Sequence, residues 1–387
     1  MSAIKKFEKP IGMRDTFPGI YEKIERAKRI GREVFRSRGF DFIETPTLEY
    51  YDTVGKASAI SDASLFKLVD SQGNTLVLRP DMTTPITRVA TSKLLKEKIP
   101  LRLAYAANVF RAQQMEGGRP AEFGQMGIEI IGDKTVFADA EVLITAIELM
   151  KEFGIESFKL TIGHAGVLHD ILNDYTDHEE QREILRTLLV ERNYVGFEEA
   201  VHEFGLPATK ANALLEFISE ATNLASIEDM EKYVRKNDGI EYMKQLSKLI
   251  NAYGLSQYVS FDFTLSSHMN YYTGMLFEIF ASGSGFPLGN GGRYDGLLHL
   301  FGSDVGATGF SIRIDRLLEV LPKEELKEET VCVLFDDEDF IKALELASTL
   351  RRQGARVTVQ SKRGLINKEA FTKLFSRVVD LSQEETQ

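Results

Sequence analysis

Polar side chains able to bind a small charged ligand are concentrated in three short stretches of the chain. The first, LRPDMTTPITR at residues 78–88, places Asp81 and Thr83 directly after a strand-like run. A carboxylate in such a loop is a natural partner for a ligand ammonium group, because the hydrogen bond between them is charge-assisted. Taken alone, the stretch also suits a simple turn in which Asp81 caps the next helix.

The second stretch, VFRAQQMEGGRPAEFGQMGIEIIG at residues 109–132, has the pattern of two strands joined by a loop. Gln125, Gly127 and Glu129 alternate along the second strand and therefore share one face of the sheet. Arg111 ends the first strand. Polar side chains on so apolar a strand either face solvent or line a cavity. The glycine between them favours a cavity, since it leaves room for a ligand at the sheet surface.

The third stretch, SSHMNYYTG at residues 266–274, follows a strand-like run and contains the adjacent pair Tyr271 and Tyr272. Two tyrosines in such a position are typical of a small-ligand pocket, yet no acidic or basic side chain stands beside them. A glycine-rich turn, LGNGGRYDGLL at residues 288–298, has neither of the two common phosphate-binding spacings. Close backbone packing under a sheet is the simpler interpretation of these glycines.

Composition excludes several classes of protein. The 387 residues are 43% hydrophobic and 27% charged, with a formal net charge of −11, which argues against a surface that binds nucleic acid. The single cysteine, Cys332, excludes a disulfide framework, and the six histidines lack metal-ligand spacing, so neither a metal nor a cofactor is expected. Without an apolar leader or membrane-length run, we expect a cytoplasmic protein that does not enter the membrane.

Apolar periodicity predicts the elements that position these stretches. Helices are predicted at residues 20–39, from Thr84 to about Lys98, and from Asp139 to Phe153. Strands and a hairpin are predicted around these helices, with one strand interrupted at Pro46. The sequence therefore predicts an α+β fold, in which a mostly antiparallel sheet carries flanking helices.

Two further segments differ from this core in their pattern of predicted secondary structure. Residues 174–254 hold helical runs with almost no strand signal, which indicates a helical insertion into a core spanning residues 1–325. Residues 330–387 have the pattern of a separate small β-α-β unit. We expect this unit to be a short, truncated C-terminal domain.

In this order, the motifs resemble the catalytic core of class II aminoacyl-tRNA synthetases, and specifically that of histidyl-tRNA synthetase. The resemblance covers more than three-quarters of the chain. It rests on GMRDTFP, RGFDFIETPTLE, LRPDMT, FR with GRPAEFGQMGIE, NYYTG, GGRYDGL and GFSIRIDRLL. It implies an antiparallel sheet with flanking helices and a homodimer formed through the region around Pro46.

The chain departs from the synthetase pattern at the residues that handle the nucleotide. Ser267 stands where the synthetase has an arginine, and His268, Met269 and Asn270 replace a glycine, a leucine and an aspartate. Serine supplies no cation to a transition state that gains negative charge. Three further positions also depart from the family pattern: Gln113 for an acidic residue, Ala121 for an arginine and Arg313 for a glycine.

The resemblance implies that the amino-acid half of the site is kept. Asp81, Thr83, Gln125, Glu129, Tyr271 and Tyr272 stand where the synthetase holds histidine, and Arg111 would lie near the ligand carboxylate. A pocket that keeps its ligand and loses its chemistry is similar to the regulatory subunits of ATP phosphoribosyltransferase. That family implies L-histidine as ligand and a short-form catalytic subunit as partner within a hetero-oligomer. A working histidyl-tRNA synthetase and another synthetase-like amino-acid sensor remain as alternatives.

Overall fold

The computed structural model describes residues 7–112, 120–224, 227, 230, 233, 237–266, 271–322 and 329–383. The chain divides into two compact units, Met1–Pro322 and Lys323–Gln387.

Strands and helices alternate irregularly along both units. The strands are β1 (Asp41–Phe42), β2 (Leu48–Tyr50), β3 (Lys67–Val69), β4 (Thr75–Leu78), β5 (Leu101–Phe110), β6 (Glu122–Ile131), β7 (Phe158–His164), β8 (Thr222–Leu224), β9 (Val259–Asp262), β10 (Met275–Ala281), β11 (Gly289–Arg293), β12 (Ala307–Arg313), β13 (Thr330–Phe335), β14 (Arg356–Ser361) and β15 (Arg377–Asp380). The helices are α1 (Pro18–Ser37), α2 (Thr83–Ser92), α3 (Val136–Glu152), α4 (Ala165–Tyr175), α5 (Glu179–Val190), α6 (Tyr194–Glu203), α7 (Ala208–Glu220), α8 (Asp238–Ala252), α9 (Asp295–Leu300), α10 (Ile314–Val320), α11 (Phe340–Arg352) and α12 (Lys368–Thr372).

The first unit is built on a nine-stranded sheet with the order β1-β5-β6-β12-β11-β10-β7-β9-β8. Only β1 with β5 and β7 with β9 pair in parallel among these neighbours; the other six pairs are antiparallel. A separate small sheet pairs β2, β4 and β3. The predicted α+β fold with a mostly antiparallel sheet is therefore confirmed.

The central strand β6 shows why one face of the sheet carries helices and the other carries a site. Met126, Ile128 and Ile130 are buried in the main core, where α1 and α3 pack on the sheet. Gln125 and Glu129 alternate with them and point to the opposite face. That face is only partly covered, by a second apolar cluster that includes residues of α2 and α9. The alternation thus leaves polar side chains at a gap between helices.

The helical region contains α4 to α8, together with the short strand β8, which adds to the edge of the main sheet. A hydrogen bond from this region reaches a buried ion pair in the core. Arg293 donates from Nε to Oδ2 of Asp139 at 3.0 Å, and the Tyr242 hydroxyl from α8 donates to the same carboxylate. Asp139 is completely buried, so these partners are needed to offset the cost of desolvating its charge.

The second unit contains a three-stranded parallel sheet in the order β14-β13-β15. Helix α11 packs on one face of this sheet, where Val331 and Val333 of β13 are fully buried. The β-α-β pattern seen in the sequence accounts for β13, α11 and β14. The third strand, β15, adds to the other edge of β13 and was not predicted.

Two predicted elements need correction. The helix predicted to run to about Lys98 ends at Ser92 and is followed by a short 3-10 turn. The glycine-rich segment predicted as a turn contains the strand β11, which pairs with both β10 and β12. A Cβ at Gly289 would lie 2.2 Å from the Ser311 carbonyl oxygen, so close backbone packing explains the glycine as expected. Within the described ranges, no helix is long and apolar enough to cross a membrane.

Candidate ligand-binding site

A cleft opens on the polar face of the main sheet, with about 320 Å³ of empty space, part of it open to solvent. It is bounded by the start of α2, by β6, β11 and β12, and by the segment before β10. Six of the seven residues predicted to bind a ligand line this cleft: Asp81, Thr83, Gln125, Glu129, Tyr271 and Tyr272. The structure thus brings together residues that are separated by up to about half of the chain.

Glu129 forms the floor of the cleft and is only 1% exposed. Thr83 donates from Oγ1 to its Oε1 at 2.8 Å, and Tyr294 donates from its hydroxyl to Oε2 at 2.6 Å. Burial raises the pKa of Glu129 to about 8, although both hydrogen bonds oppose that shift. The carboxyl group is therefore held in one orientation and can exchange a proton near neutral pH.

Space for the Glu129 carboxylate comes from Gly309, its cross-strand neighbour on β12. A Cβ at Gly309 would lie 1.9 Å from Oε2 of Glu129. Any other residue at position 309 would therefore displace the carboxylate from the sheet surface.

Asp81 combines the two roles that the sequence left open. Its Oδ1 accepts from the Thr84 backbone N–H at 2.7 Å, which caps the start of α2. Its Oδ2 accepts from the Ser58 hydroxyl at 2.7 Å, and the residue also lines the cleft. The two bonds fix the carboxylate, and each oxygen keeps a second acceptor site for a ligand.

Aromatic rings form the wall of the cleft. Tyr271 lies edge-on to Tyr272, with ring centroids 5.0 Å apart, and edge-on to Tyr294, with centroids 5.8 Å apart. Burial raises the pKa of both Tyr271 and Tyr272, so their hydroxyl groups stay protonated. Asn290 donates from Nδ2 to the Tyr272 hydroxyl at 3.4 Å. The wall is neutral and polar, with edge-to-face ring contacts that limit how the rings can move.

The expectation that Gly127 leaves room for a ligand is wrong. A Cβ there would lie 2.1 Å from the Phe310 carbonyl oxygen and 2.7 Å from the Tyr105 hydroxyl. Tyr105 is the cross-strand neighbour of Gly127 on β5 and is 1% exposed. The missing side chain therefore accommodates the ring of Tyr105, which is itself part of the cleft wall.

Arg111, the seventh predicted residue, lies beside the cleft and does not form its lining. Its Nε donates to the Pro80 carbonyl oxygen at 2.9 Å, and its guanidinium lies 5.3 Å from the centre of the Phe123 ring. Burial lowers the pKa of Arg111, and the nearby charge of Asp81 opposes that shift. Its Nη2 is buried and has no hydrogen-bond partner among the described residues.

Arg313, which replaces a synthetase glycine, covers the same aromatic ring. Its guanidinium lies 3.7 Å from the centre of the Phe123 ring and pairs with Asp315 through contacts of 3.1 Å and 2.6 Å. The resemblance implies that the synthetase glycine lets a nucleotide approach closely, and an arginine side chain is too bulky for that approach. Ala121 is fully buried, and its N–H donates to the Gly12 carbonyl oxygen at 2.8 Å.

The remaining departures, Gln113, Ser267, His268, Met269 and Asn270, lie outside the described residues.

Several contributors to the cleft were not predicted as site residues. Among them are Tyr294, which holds Glu129, and Tyr105, Asn290 and Ser311, which line the wall. Tyr294 stands within the GGRYDGL motif, and only that motif offered a signal for it. Within the described ranges, no group of three or more acidic, histidine or cysteine residues is arranged to hold a metal ion.

The antiparallel sheet and its polar cleft match known proteins. Residues 12–317 match the histidyl-tRNA synthetase family, and residues 332–382 match the family described as the C-terminal domain of histidyl-tRNA synthetase HisZ. Histidyl-tRNA synthetase from Nostoc sp. PCC 7120 is 18% identical with a TM-score of 0.78, covering 95% of this chain and 88% of that one, and shows the fold alone. Fold and site define a class II protein of the histidyl-tRNA synthetase type.

Relatives of higher identity give a narrower family. A protein of Lysinibacillus sphaericus (strain C3-41), named ATP phosphoribosyltransferase regulatory subunit, is 65% identical over 98% of this chain and 99% of that protein. A solved structure from Bacillus halodurans C, described as an ATP phosphoribosyltransferase regulatory subunit/histidyl-tRNA synthetase, is 43% identical with a TM-score of 0.89. The matched region covers 97% of this chain and 98% of the chain in that structure. The chain belongs to the ATP phosphoribosyltransferase regulatory subunits, as the sequence predicted.

Proposed function

We propose that this chain binds free L-histidine in the cleft and, as the regulatory subunit of ATP phosphoribosyltransferase, transmits histidine occupancy to a separate catalytic subunit. The observation that carries the proposal is the buried Glu129 carboxylate, held between Thr83 and Tyr294 on the floor of the cleft. The proposed complex performs the first step of histidine biosynthesis and is inhibited by its end product.

Glu129 suits an imidazole ring. A neutral imidazole has one N–H donor and one acceptor nitrogen, and its ordinary pKa is about 6.5. A carboxyl group whose pKa lies at about 8 can accept the ring N–H when ionised, or donate to the other ring nitrogen when protonated. The ring faces of Tyr271 and Tyr272, as distinct from their hydroxyl groups, give the flat ring an apolar surface to pack on.

The ammonium and carboxylate groups of histidine have separate candidate partners, Asp81 and Arg111, which lie near each other. Asp81 is fixed by Ser58 and Thr84 and offers a carboxylate to the ligand ammonium group. Arg111 keeps a buried donor, Nη2, for the ligand carboxylate. The charged and polar groups of the site therefore match those of an amino acid with a neutral polar ring.

Arg313 supports a role in which the site binds and does not activate its ligand. Its guanidinium on the Phe123 ring is too bulky for the close nucleotide approach that a glycine would allow, and Ser267 stands in place of the cation that would stabilise an adenylate. Binding of histidine then affects flux only through a partner, here a short-form ATP phosphoribosyltransferase catalytic subunit. We propose that the chain enters this cytoplasmic hetero-oligomer as a homodimer.

Calorimetry with the purified chain tests the binding. L-histidine should bind, and Glu129→Ala should weaken it by about 1–3 kcal/mol, because a buried hydrogen-bond partner is removed. Glu122→Ala is a matched control: Glu122 lies on the same strand, accepts from Asn108 at 2.8 Å and is outside the cleft lining. Unchanged binding in Glu129→Ala would exclude Glu129 as the ring-recognising group. Histidine-dependent pyrophosphate exchange above that of a Ser267→Ala variant would instead indicate a working synthetase.

A further inference from the structure

Arg192 has a backbone conformation that arginine rarely adopts. Its φ is 56°, and within the described ranges no other non-glycine residue has a positive φ. It follows the end of α5. Its backbone N–H donates to the Leu189 carbonyl oxygen at 3.0 Å, and the Asn193 N–H donates to the Leu188 carbonyl oxygen at 2.8 Å. Helix ends closed in this way usually take glycine at this position, because a Cβ is strained there. The turn itself therefore gives no reason for an arginine.

The Arg192 side chain leaves the helical region and reaches the main sheet. Its Nη2 lies 2.6 Å from Oε2 of Glu278 on β10, and its guanidinium lies 5.3 Å from the centre of the Phe280 ring. Burial raises the pKa of Glu278, and the charge of Arg192 opposes that shift; the same holds for Asp262 on β9, where hydrogen bonds from Thr264 also oppose it. The charge of this one arginine thus favours the ionised form of two buried acidic groups on the sheet.

Glu278 stands next to the wall of the ligand cleft. Its cross-strand neighbour on β11 is Asn290, and directly opposed side chains lie on the same face of a sheet. Asn290 lines the cleft and donates to the Tyr272 hydroxyl. Two side-chain contacts, Arg192 with Glu278 and Asn290 with Tyr272, are therefore joined by one cross-strand pair.

We propose that Arg192 is a positioning residue for the cleft: by pairing with Glu278 it holds the helical region against β10 and keeps Asn290 and Tyr272 in their binding arrangement. The inference rests on the proposed binding of histidine. A wall that is already fixed does not have to be ordered when the ligand arrives, so affinity is higher than in a chain with a loose wall. This role explains why a strained arginine replaces the glycine that the helix end favours.

Arg192→Gly separates positioning from stability. Glycine relieves the backbone strain, so the variant should melt at or above the temperature of the parent. Histidine affinity measured by calorimetry should nevertheless fall about five- to tenfold. Hydrogen exchange without ligand should become faster in β10 and in the start of α6, because the pair that joins them is lost. Arg192→Lys keeps a cation in reach and should recover most of the affinity.

Two further variants sharpen the test. Glu278→Gln should weaken histidine binding as much as Arg192→Gly does, and the double variant should be no weaker than either, because both remove one interaction. Lys244→Ala removes an ion pair with Glu241 inside α8 and should leave affinity unchanged. Parent-like affinity in Arg192→Gly, with the parent binding histidine normally, would overturn the positioning role alone. Absence of histidine binding by the parent would overturn the proposed function itself.

Discussion

Tyr294 donates a 2.6 Å hydrogen bond to Glu129 although the two residues are 165 positions apart in the chain. Both are buried, at 2% and 1% exposure, and Tyr294 also packs edge-on to Tyr271. One tyrosine therefore supports both the floor and the wall of the cleft. This contact depends on the order β6-β12-β11, since Tyr294 directly follows β11.

Replacing Tyr294 with phenylalanine should weaken histidine binding and leave the fold intact. The ring and its contacts remain, but Glu129 loses one of its two described donors. A buried carboxyl oxygen left without its hydrogen-bond partner costs about 1–3 kcal/mol, so affinity should fall about fivefold or more. Calorimetry on Tyr294→Phe measures this directly. An unchanged dissociation constant would show that Thr83 alone orients the carboxylate.

The pKa of Glu129 predicts how its contribution to stability depends on pH. Its folded pKa of about 8 lies above the ordinary value of 4.5, so between these limits the folded state binds more protons than the unfolded state. The contribution is fully present below pH 4.5 and is lost as pH rises through 8. In thermal melts from pH 5 to pH 8.5, the parent should lose stability relative to Glu129→Gln. A constant difference between the two proteins would contradict the raised pKa.

His164 should show the opposite dependence. It caps α4 by accepting from the Val167 N–H at 3.3 Å, and burial lowers its pKa to about 4, against the charge of Asp170. Between pH 4 and pH 6.5 the unfolded state binds more protons, so stability rises with pH in this window. His164→Asn keeps a cap acceptor and should flatten the rise. If the two proteins gained stability in parallel between pH 4.5 and pH 6.5, His164 would not be the cause.

Gly309→Ala should be strongly destabilising. The added Cβ would meet the Ile128 carbonyl oxygen at 2.3 Å as well as the Glu129 carboxylate, and backbone cannot move aside as a side chain can. We expect a loss of more than about 3 kcal/mol in the free energy of unfolding, with histidine binding lost in any folded fraction. Gly285→Ala, which meets nothing within 4 Å, is the matched control. Parent-like melting of Gly309→Ala would mean that the two strands can separate at this point.

Much of the cleft was predictable because Met126, Ile128 and Ile130 alternate along β6 with the polar residues Gln125 and Glu129. That pattern places Gln125 and Glu129 on one face without any knowledge of the fold. The same pattern does not reveal which group occupies the space beside Gly127. Tyr105 on β5 fills it, and only strand register makes them neighbours.

The segment 289–293 shows the opposite limitation. Three glycines in five residues have low strand propensity, and a turn was predicted there. The neighbouring strands come so close that only glycine fits, and their backbone pairing makes the segment a strand. Tyr294 was missed for the same reason, because its partner is set by sheet order and not by local pattern.

Feedback inhibition is the prediction that joins the cleft to the proposed partner. In a complex reconstituted with a short-form catalytic subunit, histidine should inhibit phosphoribosyl transfer, and Glu129→Gln should raise the concentration needed. Coupling between two sites is typically about 1–3 kcal/mol, so saturating histidine should change the affinity for a substrate of the catalytic subunit about 5- to 150-fold. Because binding linkage is reciprocal, that substrate should weaken histidine binding by the same factor.

The decisive comparison uses two variants of the cleft and one outside it. Tyr272→Ala removes part of the wall and Glu129→Gln alters the floor, so both should shift inhibition to higher histidine while leaving uninhibited activity at the parent level. Glu122→Gln should behave as the parent in both respects. Inhibition that stays at the parent concentration in Tyr272→Ala and Glu129→Gln would place the feedback site on the catalytic subunit. This chain would then act by activating its partner, since a cleft whose occupancy changes no equilibrium in the complex cannot transmit a signal.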